Sequence, residues 1–399
     1  MTKRPLEGIR ILDSTVMTAG PWGVQILADL GAEVIKIERP GKQYDVNRAL
    51  QSVHDTSYYY MCMNKDKKSI QFDYSKPGHK EIYKKLVEKC DIVTENFKAG
   101  SMDRQGLGYD DLKQIKPDII YSAVSGYGQT GPKSALPASD LVIQATSGFM
   151  SVNGEKGSTG MKAGSSLADI YASVVSAIAL MAGIYYKLDT GKGCKIDTSM
   201  QSADMTSVAY EIAKYLNTGE IARPNGNADQ EVGFLETVPV ADGLLMVEAA
   251  TDEHFEAFMK MLGLEDLSED ERFATDKLRC DNAAVLEEAI FPLTEKYMMA
   301  ELADKCRAVG VPAGEVNTQD RFMRSHYVEE MDMTAVVRDD YFGDCRTLDL
   351  PIKFDRFDVP KHRKASQSGQ DSAQVLKDIL GLSDDEIKNL YSYDGAVEV

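Results

Sequence analysis

Ile9-Arg-Ile-Leu-Asp13, Thr18-Ala-Gly-Pro-Trp22 and Glu33-Val-Ile-Lys-Ile37 follow one another near the start of the chain, and their reading decides the fold. The first is a short apolar strand. The second is a turn whose Pro21 suits the first turn of a helix, because a residue there has no intrahelical partner for its N–H. Val24, Ile26, Leu27 and Leu30 supply the apolar residues of that helix, and Gly31 suits its C-terminal cap. The third stretch is a second strand, closing on Glu38-Arg39-Pro40. Further strands are predicted over 91–94 (DIVT) and 118–124 (DIIYSAV), with a helix over 80–89. Strands alternating with helices predict an α/β fold on a parallel sheet. Ligands of such sheets gather at the carboxyl ends of the strands, which groups Arg39, Asn96, Phe97, Lys98 and Gly126-Tyr127-Gly128.

From about Gly219 the pattern changes. Residues 219–233 are polar and loop-like, and a strand pair (ETVPVADGLLMVEAA) turns at Asp242-Gly243. Acidic helical segments over 254–308 then read as a smaller second domain. An amphipathic helix is predicted over 373–381, and Ser383-Asp384-Asp385-Glu386 has the spacing of a capping box at the head of another.

Composition narrows the function. Lys plus Arg number 45 against 63 Asp plus Glu, a formal net charge of −18. Such a surface repels polyanions, which argues against nucleic acid and anionic membrane as partners. A small anionic ligand would need a local basic pocket. The six cysteines form no CxxC pair, and scattered thiols suit a reducing cytoplasm. The first residues lack the apolar stretch of a signal peptide. The uncharged run over 170–186 is short for a membrane span and is expected to be a helix buried in a large core. His54, His79, His254, His326 and His362 include no i, i+3 or i, i+4 pair, so no bound metal is expected. HExxH, P-loop and GxSxG patterns are absent. Gly126-Tyr-Gly-Gln-Thr-Gly131 matches GxGxxG, but Pro132 and Pro137 follow, which predicts a glycine-rich loop rather than a dinucleotide-binding turn.

Asp169 is the informative carboxylate, a charged residue at the head of the long apolar helix. One reading makes it an N-cap or first-turn residue favoured by the helix dipole. The other makes it a nucleophile that the same dipole keeps ionised. The local pattern leaves both open.

Several blocks in order resemble the class III CoA-transferases, which include carnitine, formyl and bile-acid CoA-transferases. They are Leu6-Glu-Gly-Ile-Arg-Ile-Leu-Asp13, Ala19-Gly-Pro21, Leu27 to Pro40, Asn64-Lys-Asp-Lys-Lys-Ser-Ile70 and Glu95-Asn-Phe97. Met102-Asp-Arg-Gln-Gly-Leu-Gly108, Ser125 to Pro132, Leu167-Ala-Asp169, Gly191-Lys-Gly193 with Asp197, Gly310-Val-Pro312 and Leu376 to Glu386 continue the series. The resemblance implies a large Rossmann-like parallel-sheet domain built from both chain ends, 1–215 and 326–399. It also implies a smaller α+β middle domain, 216–325, and a homodimer of interlocked subunits. Coenzyme A and acyl-CoA are then substrates, with a small carboxylic acid as acceptor and no permanently bound cofactor.

By the same resemblance Asp169 is the nucleophile of a relay through an aspartyl mixed anhydride and an enzyme–CoA thioester. Arg39 and Arg104 would contact the CoA nucleotide, Lys67 or Lys68 would sit in its basic patch, and Met17 and Thr18 would meet the pantetheine and acyl region. Asn96 and Lys98 join this set. Backbone N–H groups around Tyr127, Gly128 and Gln129 are the expected oxyanion donors, with Ser139 as a polar contact of the pocket. Such donors work by being fixed where negative charge develops.

The chain departs from the family at Ala138-Ser139-Asp140, where an aromatic residue is usual, and it shows no glycine-rich lid. Two alternatives follow. An α-methylacyl-CoA racemase shares the aspartate but needs a second proton carrier, and Ser139 occupies the position of its histidine. A non-catalytic CoA-binding subunit would keep the basic contacts and could dispense with Asp169.

Overall fold

The computed structural model describes residues 3–40, 48 and 57–392, so His54 lies outside the described residues. The chain divides into two compact units. One comprises Met1–Phe149, Ala163–Asn217 and Asp332–Val399, the other Met150–Lys162 and Thr218–Met331. Residues 150–162 thus group with the second unit, where the amide of Gly226 donates to the carbonyl of Gly154 at 2.9 Å. The sequence places that stretch in the first unit because it is short and has no periodicity.

In chain order the first unit contains β1 (Arg10–Asp13), α1 (Pro21–Asp29), β2 (Glu33–Glu38), α2 (Tyr58–Met63), β3 (Lys68–Gln71), α3 (Pro77–Glu88), β4 (Ile92–Glu95) and α4 (Ser101–Arg104). It continues with β5 (Ile120–Ser125), α5 (Asp140–Thr146), α6 (Leu167–Thr190), β6 (Lys195–Ser199) and α7 (Met200–Met205). The six strands pair in the order β3-β2-β1-β4-β5-β6, all parallel. Strand order reverses between β1 and β4, the switch point where doubly wound sheets open a crevice for ligands.

Both faces of this sheet are covered, so β2, β4 and β5 are buried nearly throughout rather than on alternate residues, polar side chains such as Lys36, Glu38 and Glu95 included. Leu12, Ile35, Val93 and Tyr121 pack with Tyr83 and Leu86 of α3 on one face. Their neighbours Ile11, Val34, Ile92 and Ile120 pack on the other with Leu27 of α1 and Leu180 of α6. Each fully buried Leu or Ile stabilises the fold by roughly 1.5–3 kcal/mol. Helix α1 lies directly on α6: a Cβ on Gly23 would stand 2.5 Å from the carbonyl oxygen of Ser173.

Helix α6 differs from the expected core helix. Ala172, Ser176, Leu180 and Ile184 are buried, but Val174, Ile178, Met181, Tyr185 and Leu188 are exposed on the single chain. The run is apolar on both faces, while only one has a partner within its own unit.

The second unit holds β7 (Leu235–Val240), β8 (Gly243–Glu248), α8 (Asp252–Leu262), α9 (Ala283–Thr294), α10 (Met299–Ala308) and β9 (Ala313–Glu315). Strands β7 and β8 form the hairpin read from the sequence, with Val240 opposite Gly243. Phe255, Phe258, Leu286, Ile290 and Leu302 close a core over this small sheet.

The first unit then resumes with β10 (Thr334–Asp339), β11 (Gly343–Leu348), β12 (His362–Lys364), α11 (Ser372–Leu380) and α12 (Asp384–Ser392). The amide of Ser69 in β3 donates to Oδ2 of Asp371 at 2.8 Å, and Val375, Leu376 and Ile387 enter the core of Leu12 and Ile35. Ser383 and Glu386 form the expected capping box, each side chain accepting from the other's amide.

Candidate active site

The site begins where β1 ends. Asp13 is fully buried, and its Oδ1 accepts from the amide and hydroxyl of Thr15 and from the hydroxyl of Thr94. Its Oδ2 lies 3.1 Å from the buried ammonium of Lys67. Burial pushes the Asp13 carboxyl up, but Lys67, Lys36 and Thr15 together hold it below the usual carboxylate range. This buried network supports the loop between β1 and α1.

The loop is clasped from the far side of the switch point by Asn96, which follows β4. Asn96 Oδ1 accepts from the amide of Val16 at 2.8 Å, and Nδ2 donates to the carbonyls of Val16 and Ala19. Within the clasp Met17 takes φ 63, and Gly20 takes φ 121 with no room for a Cβ, which would stand 2.8 Å from Thr15. Thr18 is thereby buried, with its hydroxyl aimed at the head of α6.

Asp169 is the third residue of α6 and does not cap it; Ser166 holds the N-cap position without a side-chain bond. The amide of Asp169 donates to Oδ1 of Asp140 at 3.2 Å, and Asp140 Oδ2 accepts from Gln144 Nε2 at 2.7 Å. The Thr18 hydroxyl bonds the phenol of Tyr59 in α2 and stands close enough to the Asp169 carboxyl to favour its ionised form. Ser173, one turn on, accepts from the amide of Gly20 and shares its proton between the carbonyls of Thr18 and Asp169. Burial, and next the charge of Asp140, push the Asp169 carboxyl up to about 7 against the opposing bond from Thr18. Burial and Asp140 thus work against ionisation of this carboxyl, and Thr18 works for it. Asp169 is poised between its two protonation states near neutral pH.

Several predicted residues surround this centre. Arg39 follows β2, and Lys98 and Arg104 follow β4, all exposed beyond the carboxyl edge of the sheet. Arg104 Nη2 donates to Ser101 Oγ at 3.0 Å. Tyr127 packs beside Ala19, Ala168 and Ala172, next to the head of α6. After β5 the chain runs without a helix until α5, so the GxGxxG stretch is a loop, as read from the sequence. Ser139 is exposed at the N-cap position of α5, immediately before Asp140.

Four residues are employed differently from expected. Lys67 is wholly buried, its ammonium between Asp13 and the carbonyl of Pro21, and presents no surface to a nucleotide. Lys68 turns to Glu33 at the amino end of β2, 2.6 Å away. Gln129 spends its amide on Asp197, donating to both carboxylate oxygens at 2.9–3.0 Å, which removes it from the oxyanion donors. Asn96 spends its side chain on the backbone of the β1–α1 loop rather than on a ligand.

Two contributors escape the sequence reading. Asp140 stands in a motif noted for its missing aromatic residue, and only the fold brings its carboxylate to Asp169. Tyr59 lies in Tyr58-Tyr59-Tyr60, which matches no pattern and reads as ordinary helix packing. Among the described residues, no histidine is among the groups acting on Asp169.

The fold and site together define an α/β enzyme whose ligand-facing loops crown the carboxyl edge of a doubly wound sheet. The chain belongs to CoA-transferase family III, whose family model matches residues 6–372, and it is a CoA-transferase. It is 31% identical over 384 residues to the succinate–glutarate CoA-transferase of Agrobacterium fabrum, a match covering 94% of this chain and 96% of that protein. It is also 31% identical to the human succinyl-CoA:glutarate CoA-transferase, over 98% of this chain and 89% of that one. Among solved structures, a CAIB/BAIF family protein from Brucella suis superimposes with a TM-score of 0.85 at 30% identity. That match covers 95% of this chain and 100% of the Brucella chain.

Proposed function

We propose that this enzyme moves CoA from a short acyl-CoA, succinyl-CoA being the first donor to try, to a small dicarboxylic acid through covalent catalysis at Asp169. The observation that carries this reading is a carboxyl lodged at the head of α6, above the switch point, where the Thr18 hydroxyl favours its ionised form and, among the described residues, no cation acts on it. The Asp169 carboxylate attacks the donor thioester carbonyl; a C–O bond forms, the C–S bond breaks, and CoA leaves as thiolate. The thiolate attacks the aspartyl carbonyl, releasing the donor carboxylate and leaving an enzyme–CoA thioester. The acceptor carboxylate attacks that thioester, and returning thiolate takes the acceptor's acyl group, freeing Asp169. Four acyl transfers close the cycle with no net proton exchange.

The acceptor class follows the relatives, whose names specify glutarate, oxalate and D-citramalate. Arg39 and Arg104 are suited to the phosphates of CoA, since guanidinium binds phosphate bidentately. The racemase alternative gains nothing here, because exposed Ser139 is no proton carrier and, among the described residues, no histidine acts on Asp169. The exposed stripe Val174, Ile178, Met181, Tyr185 and Leu188 recurs at spacings of four and three, which suits a homodimer formed through α6. Six free thiols suit a reducing, cytoplasmic setting.

The test is intact mass after incubation with succinyl-CoA, with and without hydroxylamine, on the wild type and Asp169→Ala. A CoA-sized adduct on the wild type alone, converted by hydroxylamine to a hydroxamate at Asp169, is expected. CoA binding without any adduct would sink the covalent reading.

A further inference from the structure

We infer that Tyr59 is a positioning residue for CoA transfer: its phenol donates to Thr18 and so commits the single Thr18 hydroxyl proton to the reacting carboxyl of Asp169. This rests on the covalent reading above and adds to it a group from α2, a helix outside the Thr18 loop and α6.

Thr18 has one hydroxyl proton and two neighbours that can engage it, the Tyr59 phenol, which it bonds, and the Asp169 carboxyl, whose ionised form it favours. An ionised carboxylate can only accept. When Asp169 is the nucleophile, the Thr18 proton must point to it, and the Thr18 oxygen must then accept from Tyr59. The chain of donors therefore has one direction, phenol to hydroxyl to carboxylate. Burial, the first cause, and the nearby charge of Asp169 hold the Tyr59 phenol above its ordinary range, so it remains a donor throughout the working pH range. The Thr18 backbone is fixed by the Asn96 clasp on neighbouring carbonyls and by Ser173 on its own carbonyl at 3.0 Å. The remaining freedom at Thr18 is rotation of its hydroxyl, and Tyr59 removes it.

The same proton serves the later steps. Once Asp169 is acylated or carries CoA, its remaining oxygen gathers charge at each attack on the aspartyl carbonyl. A donor already aimed at that oxygen lowers the barrier without rearrangement. Thr18 touches the reacting group and is the catalytic residue of the pair. No proton has to leave Tyr59.

The other groups near this chain are Asp140 of α5, facing Asp169, Asp204 of α7 beyond Asp140, and Cys62 of α2 beside Tyr59. Helix α1 contributes no charged side chain over 21–28. Asp140 disfavours the Asp169 carboxylate, and the Tyr59–Thr18 chain opposes it.

The experiment follows formation of the enzyme–CoA adduct from succinyl-CoA by rapid-quench mass spectrometry across pH 5–9. It uses wild type, Tyr59→Phe, Thr18→Val and the double variant. Tyr59→Phe keeps the ring and removes only the donor. It should slow adduct formation about 10-fold, leave half-saturation by succinyl-CoA within twofold, and move the acid limb of the rate to higher pH. Thr18→Val should lose at least as much, and the double variant should be no slower than Thr18→Val, because the phenol acts only through the hydroxyl. A Tyr59→Phe rate and acid limb equal to wild type would overturn the inference, as would rate losses that multiply in the double variant. Should Thr18→Val not fold, the limb shift in Tyr59→Phe decides alone. A wild type that binds succinyl-CoA yet forms no adduct removes the covalent reading, and this inference with it. That result is distinct from a Tyr59→Phe enzyme that behaves as wild type.

Discussion

Asp140 accepts the backbone amide of Asp169 at 3.2 Å while its negative charge faces the Asp169 side chain. One carboxylate thus anchors the head of α6 and discourages ionisation of the group presented there. The backbone contact fixes where the carboxyl stands, and the charge raises the pH at which it ionises.

Asp140→Asn separates the two effects. Asparagine keeps an oxygen for the Asp169 amide but carries no charge, so Asp169 should ionise at lower pH. The acid limb of adduct formation, near pH 7 in the wild type, should move down. Gln144 Nε2 would face an amide nitrogen in place of a carboxylate oxygen, so a stability loss of about 1 kcal/mol is expected in urea melts. A limb that stays in place would show that Asp140 does not tune Asp169.

Glu95, at the end of β4, is buried and pushed up to about 7, first by burial, although the amide of Phe97 and the phenol of Tyr121 donate to it. A carboxyl whose folded pKa lies above its unfolded one stabilises the fold at low pH and loses that contribution as pH rises through the folded value. Glu95→Gln keeps the acceptor and removes the titration. Its stability relative to wild type should be nearly flat below pH 4.5 and improve by about 3 kcal/mol by pH 8, read from urea melts at several pH values. A pH-independent difference would be the contrary result.

The adjacent lysines should behave oppositely. Lys67→Met leaves Asp13 buried beside Thr15 and Thr94 without its nearest cation, and unfolding free energy should fall by about 3–5 kcal/mol. Lys68→Ala breaks only an exposed pair with Glu33 and should cost less than about 1 kcal/mol. Denaturant titration of both variants decides it. A stable Lys67→Met protein with weakened CoA affinity would return Lys67 to the ligand.

The exposed stripe on α6 predicts an assembly. Ile178→Glu with Leu188→Glu should shift the sedimenting species from dimer toward monomer, because both side chains stand in the apolar seam. A wild type that sediments as a monomer would contradict the homodimer.

Much of this was legible in the residues. The opening βαβ unit, the loop after β5, the hairpin at Asp242-Gly243 and the capping box at Ser383 follow from local patterns, and local chemistry realises them. Asp169 was visible because a charge at the head of an apolar run is unusual. Two groups beside it were not, because Tyr59 and Asp140 come from separate segments and reach Thr18 and Asp169 only when the sheet is assembled. Lys67 and Lys68 illustrate the reverse error. Neighbours in sequence point in different directions along a strand, so one is sealed into an ion pair and the other turns to Glu33.

The closing helices α11 and α12 impose an order in time. Val375, Leu376 and Ile387 complete the core begun by Leu12 and Ile35, so β1 waits for residues more than 350 positions further along the chain. At 5–20 residues per second the delay is roughly 20–70 s. During it, part of the oldest core stands open and sticky. A nascent chain halted short of Ile387 keeps that opening, an apolar mark that chaperones and proteases can read as unfinished synthesis.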